Sequence, residues 1–173
     1  MKVAFLDRDG TIVKDYMNEH WSEVYELEFL PYSLKGMKNI SNKGYEIIII
    51  TNQSIIDEGY ISYSRYKTLS DTMCAKLSTM DIDLLDIFIC PHARNQPCHC
   101  RKPETGMIEM AMQKYPGIDK TASFLAGDSI ATNNLQSGAN CPFTELVKHL
   151  TYFRCQKNWI EIGDTILLFK SKN

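Results

Sequence analysis

Four short apolar runs punctuate the chain: VAFL at 3–6, IIII at 47–50, LLDIFI at 84–89 and SFLA at 123–126. None alternates cleanly between apolar and polar, and all favour β-branched or aromatic residues. Strands covered on both faces of a parallel sheet have this pattern. Between the runs, apolar residues recur at helical spacing. Leu34, Met37 and Ile40 share one face of 33–44, which Gly44 closes as a C-cap. Tyr66, Leu69, Met73 and Leu77 share a face of 62–80, and Met107, Met110 and Ala111 mark 105–115. These methionines are expected to pack in the core rather than to bind a ligand. Strands alternating with helices predict βαβ units, hence an α/β fold: a doubly wound, mostly parallel sheet with helices on both faces. A last strand is expected in DTILLF at 164–169. With no repeat and no low-complexity linker, residues 1–173 read as a single domain.

Each apolar run ends in polar or reactive residues: Asp7 and Asp9, then Thr51 and Asn52, then Cys90 and His92, then Gly127 and Asp128. Ligands of open parallel sheets bind beyond the carboxyl ends of the strands, so four segments are expected to deliver chemistry to one edge.

Composition narrows the class. A net charge of -2 without a long basic run argues against nucleic acid as partner. MKVAFLDRDG turns charged after six residues, which argues against a signal peptide or a membrane span. Of the six cysteines, three cluster with a histidine while Cys74, Cys141 and Cys155 are scattered, the mark of a metal site in a reducing compartment. A cytoplasmic monomer is the expectation.

Three stretches carry candidate chemistry. In FLDRDGT, Asp7 and Asp9 stand two apart at a strand end; extended geometry would set both on one side, with Arg8 pointing outward. Close carboxylates need a cation or a shared proton, and an all-oxygen set suits Mg²⁺; the alternative is an acidic turn. One carboxylate could attack phosphorus while the other moves a proton, Gly10 permitting a sharp exit and Thr11 offering a hydroxyl or amide to a phosphate. Thr51 and Asn52 in IIIITNQS could hold a phosphoryl oxygen or cap the next helix. In ICPHARNQPCHCRKP, Cys90, His92, Cys98 and Cys100 supply three thiolates and an imidazole. That is a closed tetrahedral zinc set with no position left for water, hence structural Zn²⁺. His99, between two ligands, is expected to be exposed. Arg101 and Lys102 follow at once, as substrate-facing cations or as an ordinary solvated pair.

In order, DRDGT, TNQS, RKP and GDS resemble the four motifs of the haloacid dehalogenase superfamily of phosphohydrolases, over about residues 3–140. Within it, CPH…CHCRKPETGM with ITNQS is similar to the zinc-containing D-glycero-D-manno-heptose 1,7-bisphosphate phosphatases, and the histidinol-phosphatase domains share the zinc loop. The resemblance implies a Rossmann-like core with little or no cap. It implies Asp7 as nucleophile, Asp9 as proton donor and then base, and Thr51 and Lys102 as phosphoryl ligands. Mg²⁺ would lie among Asp7, the Asp9 carbonyl and Asp128, with Asn52 and Arg101 facing substrate. Segment 14–30, with Tyr16, His20 and Trp21, would line the entrance. The implied activity is Mg²⁺-dependent hydrolysis of a phosphate monoester on a small metabolite, foremost the heptose 1,7-bisphosphate. Histidinol phosphate or another sugar phosphate is the alternative substrate, and a weakened scaffold binding a phosphorylated ligand or protein is the alternative role. Two departures bear on this. Thr132 stands where the family has a second acid, and Glu58 stands where it has a cation, which is expected to repel a second phosphate.

Overall fold

The computed structural model describes residues 1–128 and 151–154. Among these, five strands form one wholly parallel sheet: β1 (Val3–Leu6), β2 (Glu46–Asn52), β3 (Asp86–Cys90), β4 (Phe124–Gly127) and β5 (Thr151–Arg154). Their order is β3-β2-β1-β4-β5. Three helices connect them: α1 (Ser33–Asn42), α2 (Tyr63–Ser78) and α3 (Gly106–Lys114). The four apolar runs thus become β1 to β4, with no end shifted by more than two residues. The expected strand at 164–169 and the Thr132 position lie outside the described residues.

The sheet is covered on both faces, as continuous apolar runs require. Ala4, Leu6, Ile47 and Ile49 pack with Met37 and Ile40 of α1 and with Tyr66, Leu69, Met73 and Leu77 of α2. Val3, Phe5, Ile48 and Ile50 point the other way, onto Met107, Ile108 and Ala111 of α3. All four isoleucines of β2 are fully buried, each contributing about 1.5–3 kcal/mol by leaving water. Met110, expected on the core face of α3, is instead 49% exposed, and Ile108 fills that role. The turn after α1 is closed as its glycine suggests: Gly44 has a φ of +74° and donates to the Ser41 carbonyl at 2.7 Å.

After β3 the chain crosses back through α3 and enters β4 on the far side of β1. Crossovers therefore diverge between β1 and β4, and a crevice opens at their carboxyl ends. The segment before α1 holds a 3-10 helix (Asn18–Glu23) that buries Trp21 beside this crevice.

Candidate active site

A cleft of about 330 Å³ lies over the ends of β1, β2 and β4. It is lined by Asp7, Asp9, Asp15, Asn18, Trp21, Thr51, Asn52, Gln53, Arg94, Arg101, Lys102 and Asp128, among others. The residues expected from DRDGT, TNQS, RKP and GDS thus meet in one place.

Asp7 is 6% exposed, and its Oδ2 lies 2.5 Å from the Nζ of Lys102, itself 3% exposed. Lys102 arrives there through a reciprocal clasp to β2. The Asn52 side chain accepts from the Lys102 N–H at 2.9 Å and donates to the Lys102 carbonyl at 3.1 Å. The Lys102–Pro103 peptide is cis. Thr51 and Asn52 do not cap the following helix; Ser62 does, accepting from the Arg65 N–H at 3.1 Å.

Gly10 turns the chain out of the site with a φ of +73°. A Cβ there would lie 2.2 Å from Asp128 Oδ2, so the Asp128 carboxylate occupies the space a side chain would take. Thr11 Oγ1 reaches Asp128 Oδ1 at 3.5 Å. Burial and then the Asp7 charge push Asp128 above the usual carboxylate range. Asp15 is pushed up to about 6 by desolvation and then by Asp9, although its side chain reaches the surface at the cleft. Acidic oxygens that repel one another fit a hard divalent cation. Asp7 and Asp128, whose charges oppose each other, would suit Mg²⁺.

The knot at the end of β3 fits zinc. The four ligand atoms of Cys90, His92, Cys98 and Cys100 lie within 4.8 Å of one another. Cys90 Sγ is 3.6 Å from Cys98 Sγ and 3.5 Å from His92 Nδ1, which is 3.2 Å from Cys100 Sγ. Tetrahedral bonds of about 2.0–2.3 Å demand edges of about 3.5–3.8 Å. Burial pushes the Cys90 thiol up to about 12, so three thiolates here need a cation to hold them. His99 is exposed, as expected, and pairs with Glu109 at 3.0 Å.

Arg101 lines the cleft but also stitches the zinc loop: its guanidinium donates to the carbonyls of His92 and Arg94 at 3.1 Å, of Gln96 at 3.0 Å, and of Ala93.

Two further sequence expectations fail at the site. Arg8 does not point outward; it is 1% exposed and reaches the Asp9 carboxylate. Since both sheet faces are covered, turning away from Asp7 leads into another packed layer rather than into water. Glu58 does not stand as a free negative charge at the entrance. It accepts from the Arg94 N–H at 2.9 Å and from Asn18 Nδ2 at 3.5 Å, and the Arg94 guanidinium lies 3.8 Å away. Asp15 also lines the site from outside every motif, and Gln53 and Arg94 line it from within TNQS and the cysteine-rich stretch, where no role had been read for them.

Residues 2–151 match the polynucleotide kinase 3 phosphatase family. A D-glycero-alpha-D-manno-heptose-1,7-bisphosphate 7-phosphatase of Photorhabdus laumondii is 42% identical over 155 residues, 86% of this chain and 83% of the relative. A D-glycero-beta-D-manno-heptose-1,7-bisphosphate 7-phosphatase of Escherichia coli K12 is 34% identical over 151 residues, covering 83% of this chain and 78% of the relative. The fold is shared with the D,D-heptose 1,7-bisphosphate phosphatase of B. bronchiseptica, solved with magnesium and phosphate. There the TM-score is 0.77 at 23% identity, covering 98% of this chain and 99% of that one.

Proposed function

From a chain that belongs to the polynucleotide kinase 3 phosphatase family, we propose a Mg²⁺-dependent phosphatase that hydrolyses a heptose 1,7-bisphosphate at its 7-phosphate. One observation carries the reading: the buried Asp7–Lys102 pair at 2.5 Å, opening on the same cleft as Asp9. Lys102 holds the nucleophile and neutralises the incoming phosphoryl oxygens, with Thr51 as a further ligand. An Asp7 carboxylate oxygen attacks phosphorus, the bond to the sugar oxygen breaks, and Asp9 gives that oxygen its proton. Water then attacks the aspartyl-phosphate, its proton passes to Asp9, and the phosphorus–Asp7 bond breaks to release inorganic phosphate. Bound among Asp7, Asp128 and the Asp9 carbonyl, Mg²⁺ would offset the charge that accumulates on the transferring group. The zinc knot has no open position and serves to fix the loop.

The bisphosphate reading is supported by the relatives, which are named heptose 1,7-bisphosphate 7-phosphatases. Glu58, paired with Arg94, does not stand unopposed against a second phosphate, and Asn52, Arg94 and Arg101 line the cleft where the substrate would lie. A net charge of -2 favours a small metabolite over nucleic acid. Among the described residues no helix is long and apolar enough to cross a membrane. The reading is of one domain acting as a cytoplasmic monomer.

The test is phosphate release from heptose 1,7-bisphosphate, histidinol phosphate and simple sugar phosphates, with and without Mg²⁺. Preference for the bisphosphate, dependence on Mg²⁺ and loss of turnover in Asp7→Asn are expected. Wild-type turnover in that variant would overturn the mechanism; tight ligand binding without any turnover would point to a scaffold instead.

A further inference from the structure

The cleft holds an arrangement the reaction above does not use. Arg8 is one of the largest fully buried side chains of the protein. A guanidinium keeps its proton in a protein, so its burial requires a fixed anion and polarisable surroundings. Both are present. Arg8 Nε and Nη2 donate to Asp9 Oδ1 and Oδ2 at 2.8 and 3.0 Å, a two-pronged contact. The guanidinium carbon lies 5.1 Å from the centre of the Tyr66 ring and 5.4 Å from that of Trp21. A third donor completes the grip: Gln53 Nε2 reaches Asp9 Oδ2 at 2.5 Å and Thr51 Oγ1 at 2.9 Å. Gln53 is 1% exposed, and its own N–H is anchored on the Cys90 carbonyl at 2.7 Å.

A carboxylate offers about four acceptor positions, and three of those on Asp9 are taken by this clamp. One remains, on Oδ1, at a residue that lines the cleft. We propose that Arg8 and Gln53 are positioning residues that lock the Asp9 carboxylate in a single orientation, leaving one lone pair for the proton exchanged with the leaving oxygen and then with water. This rests on the phosphatase reading and adds the device that aims its acid–base group. Trp21 and Tyr66 pack against the guanidinium, so the clamp links the 3-10 helix and α2 to proton transfer.

The experiment compares the Mg²⁺-loaded wild type with Gln53→Met, Arg8→Lys, Arg8→Met and the reference Asp9→Asn. Folding is followed by circular dichroism. On heptose 1,7-bisphosphate, whose alkoxide must be protonated as it leaves, kcat of Gln53→Met and Arg8→Met falls by roughly 10²-fold with KM held. Arg8→Lys, which keeps the charge but not the fork, recovers part of that loss. On p-nitrophenyl phosphate, whose leaving group needs no proton, the first equivalent of nitrophenolate appears at the wild-type rate. Slow turnover follows, because water activation also passes through Asp9. Adding Gln53→Met to Asp9→Asn costs nothing further. Equal losses on both substrates without that burst, or unchanged turnover of the bisphosphate by folded Gln53→Met, would overturn the clamp. Should Arg8→Met not fold, Gln53→Met alone decides. A wild type that releases no phosphate from any ester would instead sink the phosphatase reading itself.

Discussion

Lys102 carries a charge into a site where only 3% of its surface meets solvent, 2.5 Å from Asp7. Such a pair is of little use to stability once its desolvation is counted, but on the proposed phosphatase reading it sets a fixed positive charge where phosphoryl oxygens would arrive. Lys102→Met is therefore expected to lower kcat by about 10²–10³-fold and to relieve inhibition by inorganic phosphate, as read from product-inhibition kinetics. At this scale the sequence was legible where a residue ends an apolar run. Asp7, Thr51 and Asp128 are placed by the strand that precedes each of them. Arg8 and Gln53 were not legible, because what defines them is contact with Trp21, Tyr66 and Cys90, far along the chain. Alternation along a strand says which face a side chain takes; it does not say that both faces are dry.

Among the elements, the segment from Cys90 to Lys102 is tied in three ways: by the metal ligands, by Arg101 on the carbonyls of 92–94 and 96, and by the Asn52 clasp. Gly106 at the start of α3 adds a close approach, since a Cβ there would lie 2.5 Å from the His99 carbonyl. The clasp joins the loop to the lysine of the site, so loosening the loop should be felt at Lys102. Zinc removal by chelation, or Cys98→Ser, is expected to speed amide exchange over 91–102 and to lower kcat, with Mg²⁺ affinity little changed. Hydrogen exchange alongside zinc content and phosphate release checks this; full activity of zinc-free protein would contradict it. This loop was more legible from its residues, for Cys-x-His and Cys-x-Cys have few other uses. It could not show that Arg101 spends its guanidinium on backbone oxygens, since four carbonyls converge only once the loop has closed.

For the whole molecule, the crevice between β1 and β4 gathers carboxylates, and their mutual repulsion makes stability depend on pH. Asp15, raised to about 6 by desolvation and then by Asp9, keeps its proton longer in the fold than in the unfolded chain. Its contribution to stability is full below the ordinary value of 3.8 and is lost as pH rises through about 6. Asp128, also raised, acts in the same direction. Urea unfolding of metal-free protein between pH 4 and pH 7 should show wild type losing more stability with rising pH than Asp15→Asn. Mg²⁺ should shrink that difference; parallel profiles would refute it. The order of the strands was not legible in the sequence, because similar apolar runs could sit anywhere in a parallel sheet; the position of β1 at the centre emerges only from the crossovers. That order also separates two tasks. On the proposed reading, bond breaking draws on the central strands β1, β2 and β4 together with Lys102, whereas the rim at Arg94 belongs to five residues, 93–97, held between His92 and Cys98 beyond strand β3. Metal ligands fix both ends of those five and Arg101 holds the carbonyls of 93, 94 and 96, so changing side chains there disturbs no strand, whereas a longer insert would break those ties. The zinc thereby makes this rim an exchangeable cassette: a new substrate could be accommodated by rewriting a handful of positions while the hydrolytic centre stays as it is.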